Sequence, residues 1–469
     1  MGAGLRDILT AIKADSKRFP KLDIAFSNTE PLAVPVIVTF PENGIRLRFD
    51  GPEQRLRLIE IVDLDKDRFS VKNESLILPN DGLAARPTLH YRRVYQLFGA
   101  SYPGEYISSG DGSGQGLYVV SYPGMALSFP LAQSVFSPDI DHAKMLSSSA
   151  SSVAAIAIFD GKSWPEARKD LFTRKSAFPR SVGNVFRHKE GMPDEIEMVR
   201  VLEAGRLELV RRNASHVRIT LHETTPQDLI TDLGPPDAIY KRPSDMTEAP
   251  QRPNRNTRRR SSNAVPRGSY GSTPSSVSST NTDTYDADFE EDDAIDGPDV
   301  VRAEDQYYCY YNHGFDVLLS SNSPSTPTPS NASSSKSRVV RIVLHGNVPG
   351  SYPFNRHRRC QWAVEYGKTH QELVTSESKF QDVHGRLLAA FKGVWPEKEM
   401  KEGMVLVRDW NGDSPSGSAV LIGEESDEEE EEPFDRNKEQ WLKNTRLYKF
   451  PGLMMEVMHN GAISALTVY

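Results

Sequence analysis

A glycine followed by apolar residues at the first, third and fifth positions recurs four times along the chain. Gly44 precedes Ile45, Leu47 and Phe49, and Gly124 precedes Met125, Leu127 and Phe129. Gly314 precedes Phe315, Val317 and Leu319, and Gly452 precedes Leu453, Met455 and Val457. Period-two spacing places those side chains on one face of a strand. The residues ahead of the glycines, Asn43, Pro123, His313 and Pro451, suit a tight turn that needs permissive backbone angles. Copies of one such unit must bury their apolar faces on each other, and this limits the chain to a repeat architecture.

A second apolar run follows each of these strands: Leu56 to Val62, Val153 to Phe159, Val339 to Leu344 and Ile463 to Val468. Each pair reads as an antiparallel hairpin or meander. Short helical patterns lie upstream. Thr225 is placed as an N-cap, with Pro226 at the first helical position and Leu229, Ile230 and Leu233 as the apolar stripe. Gly234 and Pro235-Pro236 then stop the helix. Leu89 to Phe98 precede Gly99 and Pro103, Val383 to Phe391 precede Gly393 and Pro396, and Leu5 to Ala14 lead the first copy. Helices this short need a sheet to cover their stripe. The expected class is α+β: repeated helix–turn–antiparallel β-hairpin units packed as twisted sheets with helices on one face. The units are expected at 5–64, 87–160, 225–376 (with an exit loop) and 380–469, with connecting strands at 182–223.

Only 38% of the 469 residues are hydrophobic, so much of the chain is not core. Ser108 to Gly116 and Ser147 to Ser152 read as small linkers, and disordered insertions are expected at about 242–305, 320–337 and 411–440. Insertions at loop tips leave a sheet intact, because closure cost rises slowly with loop length. A net charge of -8 argues against bulk nucleic-acid binding. No apolar run suffices to span a bilayer, and the N-terminus lacks the apolar region of a secretory signal. Two cysteines in so long a chain fit a reducing compartment, with the cytosol as the default.

Motifs for chemistry are sparse. Gly161-Lys162-Ser163 resembles the end of a phosphate loop, but Ile156 stands where that loop needs glycine. Cys309 and His313 with His357 and Cys360 could converge on zinc, yet the spacing lacks paired CxxC knuckles and Cys309 fits an aromatic strand. No catalytic residue, metal or cofactor is assigned. Arg252 to Arg260 could meet nucleic acid, or form a solvated tail in which Ser261 and Ser262 are candidate phosphorylation sites. Ser426, ahead of an acidic run, is a third.

The segment His345 to Cys360 is too rich in Pro and Gly for a helix and carries a dense basic tip. Tyr352, Phe354, Asn355, Arg356, His357, Arg358 and Arg359 are the candidates for binding a partner or a phosphorylated headgroup, through forked guanidinium donors. The alternative is a structural crossover whose aromatics cover a sheet edge, and both readings stand at this stage.

Several blocks in order along the chain resemble the phagosome assembly factor family. They are Asn43 to Asp50 with Gln54 to Glu60, Phe98 to Gly104 with Tyr106, Leu233 to Pro236 with Tyr240-Lys241, Val343 to His345, Pro349-Gly350 with Tyr352 and Phe354-Asn355, Arg359-Cys360, and Met455 to Met458. The resemblance implies a non-enzymatic cytosolic adaptor in autophagy. It would pair with a WD40-type β-propeller protein and be recruited to phagophore assembly sites through phosphoinositides, with no nucleic-acid role. Two other readings compete: a hydrolase or transferase with an unrecognised site, and a nucleic-acid binder acting through Arg252 to Arg260.

Overall fold

All four repeat glycines adopt the left-handed backbone that their turns require, with φ of 64°, 78°, 84° and 71° at Gly44, Gly124, Gly314 and Gly452. Each joins the second and third strands of a four-stranded antiparallel meander. The computed structural model describes residues 1–66, 69–77, 88–101, 104–110, 114–138, 140–148, 151–173, 195–211, 215–241, 305–320, 337–366, 371–406, 419–421 and 444–469. The first meander is Asp23–Phe26, Val36–Phe40, Ile45–Phe49 and Leu56–Ile61; the second is Glu105–Ser108, Gln115–Tyr122, Met125–Ala132 and Ala155–Phe159. The third is Ala238–Lys241, Gln306–Tyr310, Phe315–Ser320 and Arg338–His345; the fourth is Met404–Leu406, Thr445–Phe450, Leu453–Val457 and Ile463–Val468. Helices Leu5–Ala14, Tyr91–Phe98, Pro226–Leu233 and Phe380–Ala390 precede them in turn.

The class is therefore α+β with repeated units, but each unit carries two strands more than the expected hairpin. The first strand of each unit is short and weakly patterned: Asp23–Phe26 is half-buried and Ala238–Lys241 mostly exposed, so neither alternates clearly in sequence. The third helix begins as expected. Thr225 accepts from the Asp228 N–H, the Asp228 carboxylate accepts from the Thr225 N–H, and Gly234 ends the helix at φ 86°.

Units join in pairs through their last strands. Leu58 to Ile61 pair antiparallel with Ile156 to Phe159, and Ile342 to His345 with Ala465 to Val468. Two sheets of eight antiparallel strands with the same order result. Ala419–Leu421 adds a parallel edge strand beside Asp23–Phe26 in the first of these sheets. Of the insertion expected at about 411–440, Ala419–Leu421 is a strand, and the rest lies outside the described residues. The other two insertions expected to be disordered lie almost wholly outside the described residues.

The stretch between the second and third units, with part of the third unit's exit, forms a separate middle sheet. Its order is Val217–Thr220, Arg206–Arg211, Ile196–Leu202, Trp362–Tyr366 and Gln371–Thr375, with a parallel pairing of Val199 to Val201 on Trp362 to Val364. One face contributes Val199, Val201, Leu207, Leu209, Trp362 and Val364 to a core shared with the second eight-stranded sheet and with Leu229, Leu233, Val383 and Leu387 of two helices. The opposite face carries a charge ladder, in which Arg200 lies 2.7 Å from Glu365 and 3.3 Å from Glu208. In the first eight-stranded sheet, Leu5 and Leu9 pack on Val36, Val38, Leu47 and Phe49, and Tyr91 and Val94 pack on Val120, Leu127 and Phe129.

The glycine turns divide into two kinds. A Cβ at Gly44 would lie 2.4 Å from the Asp63 carbonyl oxygen, and one at Gly314 would lie 2.4 Å from that of Arg358. At Gly124 and Gly452 the nearest atom would be a carbonyl oxygen at 3.5 Å. Gly124→Ala and Gly452→Ala should therefore cost about 1–2 kcal/mol, the left-handed penalty alone. Gly44→Ala and Gly314→Ala should lose about 3 kcal/mol or more, because overpacking adds to that penalty. Urea unfolding of the four variants checks the order, and equal losses would contradict it.

Candidate functional site

The loop from Gly346 to Gln361 leaves the last strand of the third unit and runs between both eight-stranded sheets and the middle sheet. Asn347 begins it in a left-handed conformation (φ 46°) and meets Gln54, also left-handed (φ 52°), from the loop ahead of Leu56–Ile61. The two buried amides pair reciprocally. Asn347 Nδ2 donates to Gln54 Oε1 at 2.7 Å, and Gln54 Nε2 donates to the Asn347 carbonyl at 2.6 Å. Asn355, at φ 65°, donates its N–H to Asn347 Oδ1. Phe354 packs into the first unit's core with its ring 6.4 Å from that of Phe26.

Most of the basic tip turns inward. Arg358 forms a two-oxygen contact with Asp7 at 2.8 Å and lies 3.4 Å from Glu195, which also pairs with Arg55. Arg359 is buried and donates to the carbonyls of Pro52, Gly346 and Ser376. His357 is buried as well, and its Nε2 bonds Asp316 Oδ1 at 2.8 Å. Tyr352 and Arg356 are the members of the tip that stay exposed. Arg356 lies over two rings, those of Tyr240 and Tyr311, at 6.0 and 5.9 Å.

A second feature, not read from the sequence, sits beneath the loop. Asp316 accepts from His357 at one oxygen and from His345 Nε2 at the other, 2.9 Å away. The two imidazoles stack at 3.8 Å with planes 15° apart, and Tyr311 meets His357 edge-on. Their ligand atoms lie within 4.8 Å of one another. Two nearly parallel stacked imidazoles do not aim both Nε2 atoms at one point, which suits one hydrogen bond to each oxygen of a carboxylate better than a shared ion. Cys309, His313, His357 and Cys360 do not form a ligand group among the described residues. Burial pushes both thiols up to about 12, far from thiolate chemistry at neutral pH. Asp316 gave no sequence signal, since a polar residue between Phe315 and Val317 is what an alternating strand supplies anyway. Ser261, Ser262, Ser426 and Arg252 to Arg260 lie outside the described residues.

Fold and site together define an α+β protein of three large sheets whose site side chains are largely occupied by internal contacts. The chain belongs to the phagosome assembly factor 1 family, which matches residues 1–264 and 296–469. It is 21% identical over 473 residues to a PHAF1 protein of Arabidopsis thaliana, covering 100% of this chain and 89% of that one. A PHAF1 protein of Drosophila melanogaster is 22% identical over 463 residues, covering 96% of this chain and 85% of that one. A third, from Caenorhabditis elegans, is 21% identical, covering 100% and 90% respectively. No solved structure matches the chain. Family membership supports a role in phagosome assembly. Among the described residues, no helix is long and apolar enough to cross a membrane.

The neighbouring arginines should separate cleanly by mutation. Arg358→Ala leaves the part-buried Asp7 carboxylate without its partner, while Glu195 keeps Arg55, and should cost about 2 kcal/mol or more. Arg359→Met takes a charged donor from three carbonyls, of which, among the described residues, Pro52 alone keeps another in Gln361, and should cost about 3 kcal/mol or more. Arg356→Ala should cost about 1 kcal/mol or less, the value of an exposed cation–π contact. Denaturant unfolding measures all three, and an Arg359→Met protein as stable as the parent would refute the role given to that side chain.

The histidine pair predicts acid lability. Burial lowers the His357 pKa beyond what the Asp316 hydrogen bond restores, and burial lowers that of His313 to about 4. Burial tends to raise the Asp316 carboxyl, but the two histidine hydrogen bonds hold it well below its ordinary range. A base with a depressed folded pKa contributes stability that is lost as pH falls below the unfolded value of about 6.5. A depressed carboxyl contributes stability that is lost below about 4. Stability should therefore drop in two stages, and His357→Gln should shrink the first, leaving the part that His313 supplies. Urea midpoints across the pH range test this, and a loss on the alkaline side of neutrality would contradict it.

Proposed function

We propose that this chain is a non-enzymatic adaptor in autophagy, which pairs with a WD40-type β-propeller protein at phosphoinositide-bearing phagophore membranes from the cytoplasmic side. The observation that carries this reading is the disposition of its polar groups. The histidines, thiols and inward arginines of the candidate site are committed to internal contacts, while its outward groups, Tyr352 and Arg356, are of the kind that populate interfaces. Family membership supports the phagosome setting. In this reading membrane contact belongs to the complex, because a chain with net charge -8 is poorly suited to an anionic surface alone.

A tag placed within residues 265–295, outside the family match, leaves the described sheets undisturbed. Purification from the native cell should then yield a WD40-type protein in amounts comparable to the tagged chain. The purified pair should float with vesicles containing phosphatidylinositol 3-phosphate, and the chain alone should not. Repeated purifications that bring no propeller protein would overturn the adaptor reading.

A further inference from the structure

A cluster drawn from three separate stretches sits where the exposed side of the loop meets the free edge of the second eight-stranded sheet. Tyr240 lies on that edge strand, Tyr311 in the turn before Gly314, Arg356 in the loop and Arg6 in the first turn of the first helix. The two tyrosine hydroxyls are hydrogen-bonded at 3.0 Å. The Arg356 guanidinium lies over both rings. The Arg6 guanidinium lies 5.7 Å over the Tyr311 ring, with Nε donating to the Arg356 carbonyl and Nη1 to Asn312 Oδ1. Aromatic contacts and these bonds hold both cations against the Tyr311 ring, so little side-chain freedom is left to lose on binding.

The surrounding carboxylates are already used. Both oxygens of Asp7 go to Arg358, both of Asp237 to Asn312, and both of Asp316 to the two histidines. Among the described residues, neither Arg6 nor Arg356 has a salt-bridge partner, although the chain as a whole is acidic. We propose that Arg6, Arg356, Tyr240 and Tyr311 form a preorganised docking surface for an acidic segment of a partner protein. Tyr and Arg are the residue types most enriched at protein hot spots. An anionic membrane is the poorer fit, because lipid surfaces are read by clusters of about 4–8 basic residues rather than two. The four residues lie within the family-matched segments. This inference rests on the adaptor reading only for the partner's identity.

The test uses the full chain and a fluorescein-labelled peptide of mixed glutamate and aspartate, with its glutamine/asparagine isostere as control. Fluorescence anisotropy should show binding of the acidic peptide alone, weakening with salt. Arg6→Ala with Arg356→Ala should reduce affinity by about tenfold or more. Tyr240→Phe should retain most of the affinity and Tyr240→Ala should lose it, with circular dichroism confirming the fold of each variant. Equal binding of the two peptides, or unchanged binding by the arginine double variant, overturns the proposal. So does Arg356-dependent binding to phosphatidylserine vesicles without peptide binding, which would assign the surface to a membrane. If the double variant still binds the peptide as the parent does and co-purifies with a propeller protein, the surface is wrong and the adaptor reading survives. If the unaltered chain finds no propeller but binds the peptide through these arginines, the adaptor reading fails and the surface stands.

Discussion

Arg359 donates to one carbonyl from each of three sheet-bordering loops: Pro52 beside the first eight-stranded sheet, Gly346 leaving the second, and Ser376 after the last strand of the middle sheet. It has no salt-bridge partner among the described residues, and burial lowers its guanidinium to about 10. Five donors in a rigid plane make such a junction feasible. A lysine, with its compact and strongly hydrated charge, could not reach three divergent acceptors from one buried position. The remaining contacts of the loop, among them the Gln54–Asn347 amide pair and the Arg358–Asp7 contact, close around that point. The outward surface formed by Arg356 and the tyrosines is only as well defined as this buried support.

The two eight-stranded sheets are relatives as well as neighbours. Each comprises two units joined at their fourth strands. The glycine turn is crowded in the first unit of each pair and open in the second. The carbonyl of the repeat glycine accepts a backbone bond just past the fourth strand or at its end in every unit: from Val62, Phe159, His345 and Tyr469. One hydrogen bond thus fixes the register of the third and fourth strands throughout the protein. The crowding at Gly44 and Gly314 reflects the chain that follows, which folds back over the turn at Asp63 and at Arg358 to Cys360.

Much of this was legible in the amino-acid sequence, because it rests on local chemistry. The glycine turns, the third and fourth strands and the Thr225 cap each follow from residues within a few positions of one another. The outer strands escaped notice because sheet edges relax the alternation that a buried face demands. The middle sheet escaped because its parallel pairing of Val199 to Val201 with Trp362 to Val364 joins distant segments that carry no mutual signal. For the basic tip the residues alone allow two readings, a binding surface and a structural crossover, because Pro- and Gly-rich loops serve both. Arg358 and Arg359 face inward because their partners, Asp7, Glu195 and the carbonyl of Pro52, come from the first half of the chain and the start of the middle sheet. Of the proposed docking cluster, Arg356 was visible as part of that tip. Arg6, Tyr240 and Tyr311 acquire meaning only once three remote stretches meet.

The strand order also sets a timetable for synthesis. The antiparallel core of the first eight-stranded sheet is complete once Phe159 has left the ribosome. The second must wait for Ile463 to Val468, which fill the place between Arg338–His345 and Leu453–Val457. Until then the apolar strand holding Val339, Ile342 and Leu344 has one open edge, a template for pairing with other nascent chains. A transcript cut short between His345 and that last strand would yield a polypeptide with a finished front half and an adhesive rear, a natural substrate for chaperones and proteases.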